Sequence, residues 1–428
     1  MDNLENNSAL ALTEGRTTTI TSRLFSSYLA CPTKCYLQAT GETGRDNEFS
    51  SWLENLKRSY EHTGIQRLSA IHGSELGRDV PNVGALKGVS WRFAPNLIVR
   101  VQNLESELHI QRIPPKRTKD SSQFVPIRFV PLNKLSRFDS LLAGFDAVVL
   151  SKASGLRIDL AQIIHGDSWS VTKVKANALT RKIHQVTGKI DSVLLGGTPP
   201  PPVLNRHCSE CEFQSRCRKL AIEKDDLSLL ANLPDKERSK LNRRGIFTVC
   251  QLSYTFRPRR RFKRLAAKPE KYHHSLQALA IREQKIHVIG NPSFQFEGTP
   301  VFVDVEGIPD RDFYYLIGLR FEIDGHAKCH SFWADSSADE EHIWKAFLNV
   351  LSTIPNPTLV HYGSFEAIFI KRMCARYGCP LENSVCRKVI SSSINLLSVI
   401  FSQIYFPSYS NALKEIAQYL GFEWSHQP

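Results

Sequence analysis

The chain has no run of about 18 consecutive apolar residues, so the sequence offers no membrane-spanning helix. Its start, MDNLENNSALALTEGRTTT, is acidic and polar where a secretory leader would set a basic segment before an apolar one. These absences lead to a cytoplasmic expectation, and in a reducing compartment ten cysteines are thiols or metal ligands rather than disulfides. No internal repeat is visible. Acidic side chains are in deficit: 42 Asp and Glu face 55 Lys and Arg, a formal charge of +13. That balance favours a polyanionic partner, with plain solubility as the alternative, since net charge does not say where charge sits.

A length of 428 residues exceeds one ordinary domain, and two or three are expected. A hydrophobic fraction of 42% is enough to build their cores. After a polar lead-in, SRLFSSYLACPTKCYLQ reads as helix broken at Cys31-Pro32. SWLENLKRSYEHTGIQRL has helical spacing, with an end predicted near Gly64. VSWRFAPNLIVRVQNL, ELHIQRI and QFVPIRFVPL read as strands, the last two separated by the loop PPKRTKDSSQ. FDSLLAGFDAVVLSKASG is a helix with a glycine cap. LAQIIHG and WSVTKVKA form a hairpin, ALTRKIHQVTGKIDSVLLGG a further helix, and the prolines from Thr198 to Pro202 stop it.

From Asp225 the character changes to two or three short helices. Within them RRGIFTVCQL resembles the hairpin-then-helix turn of small DNA-binding modules, and a packing element between domains fits equally well. RPRRRFKRLAAKPEK, with Arg259, Arg260 and Arg261, is a solvated connector or a phosphate-contacting arm. After Gly290 the order is strand, strand, strand, helix, strand, helix, then further helical stretches, as in a mixed-sheet α/β domain.

Cys208, Cys211 and Cys217 stand in HCSECEFQSRC, a C-x2-C-x5-C spacing. Thiolates this close, beside His207, Arg206 and Arg216, can converge on one soft metal centre. Three ligands leave tetrahedral zinc or an iron–sulfur cluster one short. Cys31 is the best fourth donor and Cys35 the second, while a zinc ribbon would show a second C-x2-C. A chance cluster of buried thiols is the other reading.

The second constellation lies in the strand TPVFVDVEG. Residues i and i+2 of a strand share a face, so Asp304 and Glu306 project together and Val301, Val303 and Val305 project oppositely. Paired carboxylates on a central strand are costly without a cation, whereas an edge strand could carry them as a solvated pair. Further on, LVHYGSFEAIFIKRM ends a strand and opens a helix with Glu366 near its start, where the helix dipole favours a carboxylate.

An N-terminal cysteine followed far downstream by PPVLNRHCSECEFQSRC resembles the iron–sulfur staple of RecB-type nuclease domains. The chain as a whole resembles the RecB-like nuclease family that carries a C-terminal RNase H-like domain, of the YprB type. That resemblance implies a [4Fe–4S] cluster on Cys31, Cys208, Cys211 and Cys217, with zinc as the alternative. It also implies a PD-(D/E)XK fold, whose acids and lysine bind Mg²⁺ and activate water. That signature is not found: QFVPIRFVPL lacks both acid and lysine, and Lys173 and Lys175 have no acid beside them. Glu105 and Glu107, at ELHIQRI, are candidates for the upstream acid. The N-terminal domain is therefore expected to keep fold and cluster, to have lost hydrolysis, and to retain a grip on nucleic acid.

The segment around Glu366 is similar to the second acidic motif of DEDD-type exonucleases, with Glu where Asp is usual. The resemblance implies that Asp304, Glu306 and Glu366 hold Mg²⁺ or Mn²⁺, as catalytic residues and metal ligands at once. Two departures follow: Asn395 stands before Leu-Leu where the family carries an aspartate, and the chain stops at FEWSHQP where the family continues. Truncation and a missing last ligand are the expectation. The predicted α/β architecture is thus a degenerate RecB-type domain at 1–224, a helical and basic linker at 225–290, and an RNase H-like mixed-sheet domain at 291–428. The expected function is a metal-dependent nuclease acting on DNA or RNA, inactive if truncation removes its last ligand. The alternative is a non-catalytic nucleic-acid-binding protein with a structural cluster.

Overall fold

The computed structural model describes residues 19–44, 48–77, 90–113, 123–257, 272–292, 297–378 and 392–423. Within it the chain divides into two units, Met1–Leu220 and Ala221–Pro428. The polar lead-in, nearly all of PPKRTKDSSQ and the basic run with Arg259, Arg260 and Arg261 lie outside the described residues, as do 424–428.

The first unit opens with β1 (Ile20–Thr21), α1 (Ser22–Ala30), α2 (Pro32–Ala39) and α3 (Glu48–His72). Thr21 caps α1 by accepting the Leu24 N–H, and Cys31 sits extended between the two helices because Pro32 cannot continue the first. Helix α3 passes through Gly64 instead of ending there. That glycine serves packing, since a Cβ would stand 2.3 Å from the Phe129 ring.

Strands β2 (Phe93–Val101), β3 (Leu104–Ile113) and β4 (Gln123–Val130) precede α4 (Arg137–Ser154). The hairpin β5 (Leu160–His165) and β6 (Ser170–Lys175), then α5 (Ala176–Leu195) and α6 (Gln214–Glu223), follow. The sheet order is β1-β3-β4-β5-β6, with β2 also on β3; β1–β3 and β4–β5 are the parallel pairs. Helix α4 starts at a Ser136–Asp139 capping box and stops at Gly155, whose φ of 67° suits glycine. It buries Phe145 and Val149 in one core with Leu108 and Ile110 of β3. Alternation along β3 turns His109 the other way, toward the core of Ile127, Ile164, Ile65 and Leu68 beneath α3.

The second unit begins with α7 (Asp235–Arg243), α8 (Val249–Ser253) and α9 (His274–Glu283), of which α9 had no counterpart in the sequence reading. Next come β7 (His287–Val288), β8 (Thr299–Ile308), β9 (Phe313–Ile323) and β10 (His326–Trp333). Helix α10 (Glu340–Ser352), β11 (Pro357–His361), α11 (Phe365–Tyr377) and β12 (Ile394–Asn395) continue the chain. It closes with α12 (Leu396–Gln403), β13 (Ile404–Tyr405) and α13 (Leu413–Tyr419). The main sheet runs β10-β9-β8-β11-β12, so β8 is central, antiparallel to β9 and parallel to β11. Val301, Val303 and Val305 pack with Trp344 and Phe347 of α10 and Phe369 of α11. The helical segment is bound to the end of this unit. Strand β7 pairs with β13, and the buried Gln277 donates to the carbonyls of Phe406 and Ser408. No helix among the described residues is long and apolar enough to cross a membrane.

Candidate active site

The valines of β8 hold one face of the strand in the core, which leaves Asp304 and Glu306 exposed on the opposite face. Because β8 is paired on both sides, the edge-strand reading of this pair does not apply. Next to it, β11 ends at the buried His361 and turns through Gly363, whose φ of 114° needs glycine. His361 Nδ1 donates to the Gly363 carbonyl at 2.9 Å, and burial lowers the basicity of the ring. Ser364 then starts α11 and places Glu366 in its first turn.

Glu366 is only 5% exposed, and its Oε2 has no hydrogen-bond partner among the described residues. The nearest cationic candidate, His361 Nδ1, is 3.7 Å away and already committed to Gly363. Burial pushes the Glu366 carboxyl above its ordinary range; its own backbone N–H opposes this, and the charges of Asp304 and Glu306 add to it. The three predicted carboxylates are thus in mutual electrostatic reach, and one carries an orphaned buried oxygen.

Asn395 lies beside His361 in the parallel β11–β12 pair. Its Oδ1 accepts from the Gly363 N–H at 3.1 Å and from the Leu397 N–H at 3.0 Å. The Asn395 side-chain oxygen therefore caps α12 and fixes the turn.

In the first unit, the predicted cysteines act on one another electrostatically. Cys217 is pushed up to about 11, chiefly by burial and then by Cys211, Cys31 and Cys208, with Arg216 opposing. Cys208 is raised by burial, against an N–H from Asn205 that reaches its Sγ at 3.3 Å. Cys211 is raised by burial too, with the Phe213 N–H and Lys34 opposing. Cys35 is fully buried, raised to about 12 by burial and Cys31, and is not among the groups acting on Cys217. The same region ties both ends of the unit together through side chains. Gln38 donates to Glu212 at 2.7 Å, Lys34 pairs with Glu212 at 2.8 Å, and Asn205 donates to the Ala30 carbonyl at 3.2 Å.

On the α3 side of that unit's sheet stand His109, Ile127 and Phe129, with His109 Nε2 2.8 Å from Glu61 Oε1. Glu105 is engaged by Arg100 and Glu107 is exposed, while Lys173 and Lys175 are exposed on β6. None of these four approaches an acid–lysine arrangement.

Among the described residues no group of three or more His, Cys, Asp or Glu side chains stands close enough to hold a metal ion. This applies to Asp304, Glu306 and Glu366 and equally to the four cysteines. Within each set the side chains act on one another electrostatically without being closed around a centre.

No curated protein matches the chain. Residues 301–428, beginning at the strand that carries Asp304 and Glu306, match a family model of the RNase H superfamily, RNase_H_2, and this C-terminal domain is RNase H-like.

Proposed function

We propose that the C-terminal domain is a metal-dependent nuclease of the exonuclease type, acting on DNA or RNA through Asp304, Glu306 and Glu366. The observation that carries this reading is the buried Oε2 of Glu366, without a hydrogen-bond partner among the described residues, in a carboxyl that feels the charges of two further carboxylates. Such a group is costly unless a cation is its partner, so the donor set fits Mg²⁺ or Mn²⁺. When bound, the ion supplies activation of water and neutralisation of charge at the phosphodiester. Asp304 and Glu306 would hold it from the strand and Glu366 from the helix start. His361 and Asn395 position that start by fixing the Gly363 turn.

The test is shortening of end-labelled oligo(dT) and oligo(U) by the full chain with Mg²⁺ or Mn²⁺. Asp304→Asn should lower the rate about 100-fold or more and weaken Mn²⁺ binding seen by electron paramagnetic resonance. Degradation that survives Asp304→Asn would remove the site from consideration.

The neutral Asn395, spent on two backbone N–H groups, favours the second reading, a nucleic-acid-binding protein without hydrolysis. Salt-sensitive binding with no shortening under either metal identifies it.

For the first unit the proposed cofactor is a [4Fe–4S] cluster on Cys31, Cys208, Cys211 and Cys217, with zinc as the alternative. The mutual effect of these four thiols and the N–H donors aimed at sulfur support it. Anaerobically purified protein should be brown and contain iron, and Cys217→Ser should lose both. Colourless protein with one zinc per chain selects the alternative.

A further inference from the structure

The sheet of the second unit packs α10 and α11 on one face, and among the described residues it carries exposed side chains on the other from β8 to β10. Alternation places Phe302 on the open face beside Asp304 and Glu306, and Phe302 is 46% exposed. Strand register continues that face outward. Arg320 lies opposite Phe302, Gly318 opposite Asp304, and Leu316 opposite Glu306. On β10, Trp333 lies opposite Leu316 and is 59% exposed. The same face closes again at β11, where Val360, in register with Phe302, is buried.

Three properties of this floor point to one occupant. Two large rings, Phe302 and Trp333, are about half exposed and belong to no buried cluster of the described residues, Trp333 resting against Tyr315 with its Nε1–H donated to Asp335 at 3.0 Å. Arg320 is exposed with no ion pair to a described residue, and a cavity of about 760 Å³ beside it, at the β9–β10 turn, is lined by Pro300, Phe302, Arg320, Glu322, Asp324 and Gly325. Between the rings, beside Asp304, the side chain is missing altogether: Gly318 has no positive φ, and a Cβ there would meet only the Asp304 carbonyl at 3.7 Å. Backbone geometry therefore does not require glycine. What glycine leaves is room over the sheet next to the carboxylates.

We propose that this floor seats an unpaired nucleic-acid strand, Phe302 and Trp333 stacking bases and Arg320 facing a phosphate, so that the backbone crosses Gly318 beside Asp304. The inference rests on the nuclease reading for its chemistry, though not for the binding itself. Stacking requires exposed base faces, which a continuous duplex does not present. Glu322 and Asp324 in the cavity lining suit the N–H groups of a base and repel phosphate, which leaves Arg320, the one cation of that lining, as the phosphate contact.

The experiment is photo-crosslinking of the full chain, in chelator, to oligo(U) carrying 5-iodouridine and oligo(dT) carrying 5-iododeoxyuridine, with the adducts mapped by mass spectrometry. Adducts at Phe302 or Trp333 are expected. Gly318→Leu, whose Cβ has room above the sheet, should cut their yield about tenfold while leaving adducts elsewhere unchanged. Phe302→Ala and Trp333→Ala should each weaken oligonucleotide binding about fivefold or more, and blunt duplex should compete poorly. Adducts confined to other regions, or a yield indifferent to Gly318→Leu, would overturn the proposal. Because no metal is present, the outcomes separate. Adducts at Phe302 in a protein that never hydrolyses sink the nuclease reading alone, and Asp304-dependent hydrolysis without these adducts sinks the strand floor alone.

Discussion

Asp146 in the first unit and Glu366 in the second are both buried carboxylates packed against a mixed sheet, and they are treated in opposite ways. Asp146 is fully enclosed yet fully served. Arg128 grips it at 2.5 and 2.8 Å, and the Ser106 hydroxyl donates at 2.5 Å. Glu366 is nearly as enclosed, and one of its oxygens has no donor among the described residues. Glu340, in the same unit as Glu366, shows that the contrast is not one of unit against unit. It accepts from the Tyr314 N–H at 2.8 Å, from the Tyr377 hydroxyl at 2.7 Å and from Arg376. Burial of an acid therefore does not mark a site. Burial without partners, beside two further acids, is the feature on which the proposed metal site rests.

The largest expected effect tests the structural half of this contrast. Asp146→Ala would leave Arg128 facing a protein interior without its counter-charge, at a cost of about 3–5 kcal/mol. Hydrogen exchange in β3 and β4 should show that loss, whereas exchange in β8 should not change. A loss below about 1 kcal/mol would mean that the pair is not what holds the unit together. The next effect has the opposite sign. Burial and two neighbouring charges raise the Glu366 carboxyl, so its ionisation opposes folding. For a raised acid, the folded state is favoured below the unfolded value of 4.5 and loses that advantage as pH rises through the folded value. Glu366→Gln removes this dependence, and at neutral pH it should stabilise the metal-free second unit by about 1 kcal/mol while abolishing Mn²⁺ binding. Stabilisation with metal binding intact would break the comparison, because the orphaned oxygen would then have no function.

Much of this contrast was legible before any coordinates. Alternation in VFVDVEG put Asp304 and Glu306 on one face and the valines on the other, since a strand's period of two admits nothing else once the valines must be buried. The helix start carrying Glu366 was legible because strand, glycine turn and helix followed in order. What escaped the sequence depends on contacts far apart in the chain. Gly64 read as a helix end, although the reason for glycine is the Phe129 ring on β4. Helix α9 was missed, and its buried Gln277 is satisfied by carbonyls at Phe406 and Ser408, which local pattern does not reveal. Phe302 stood in plain view inside the motif. Its exposure could have been inferred from the same alternation that placed the acids, but an aromatic in a strand suggests core by default.

The smallest effect concerns the α3 side of the first unit, where the comparison is most easily broken. Glu61 is held by the His109 ring at 2.8 Å, and this hydrogen bond draws its carboxyl below the ordinary range against the pull of burial. The lowered acid stabilises the fold above the unfolded value of 4.5, and the contribution is lost as pH falls through the folded value. Its side chain is 45% exposed, so solvent screens the interaction, and Glu61→Gln should cost no more than about 0.5 kcal/mol at neutral pH. The difference in unfolding free energy between wild type and variant should shrink as pH is lowered below that window. Oligonucleotide shortening should be unaffected, because the described neighbours of His109 in that core, Ile127 and Phe129, are apolar and supply no second acid for a cation. A variant that keeps its stability but loses Mg²⁺-dependent shortening would place chemistry at Glu61 and His109. The first unit would then be the working nuclease, and the unpartnered Glu366 would need another explanation.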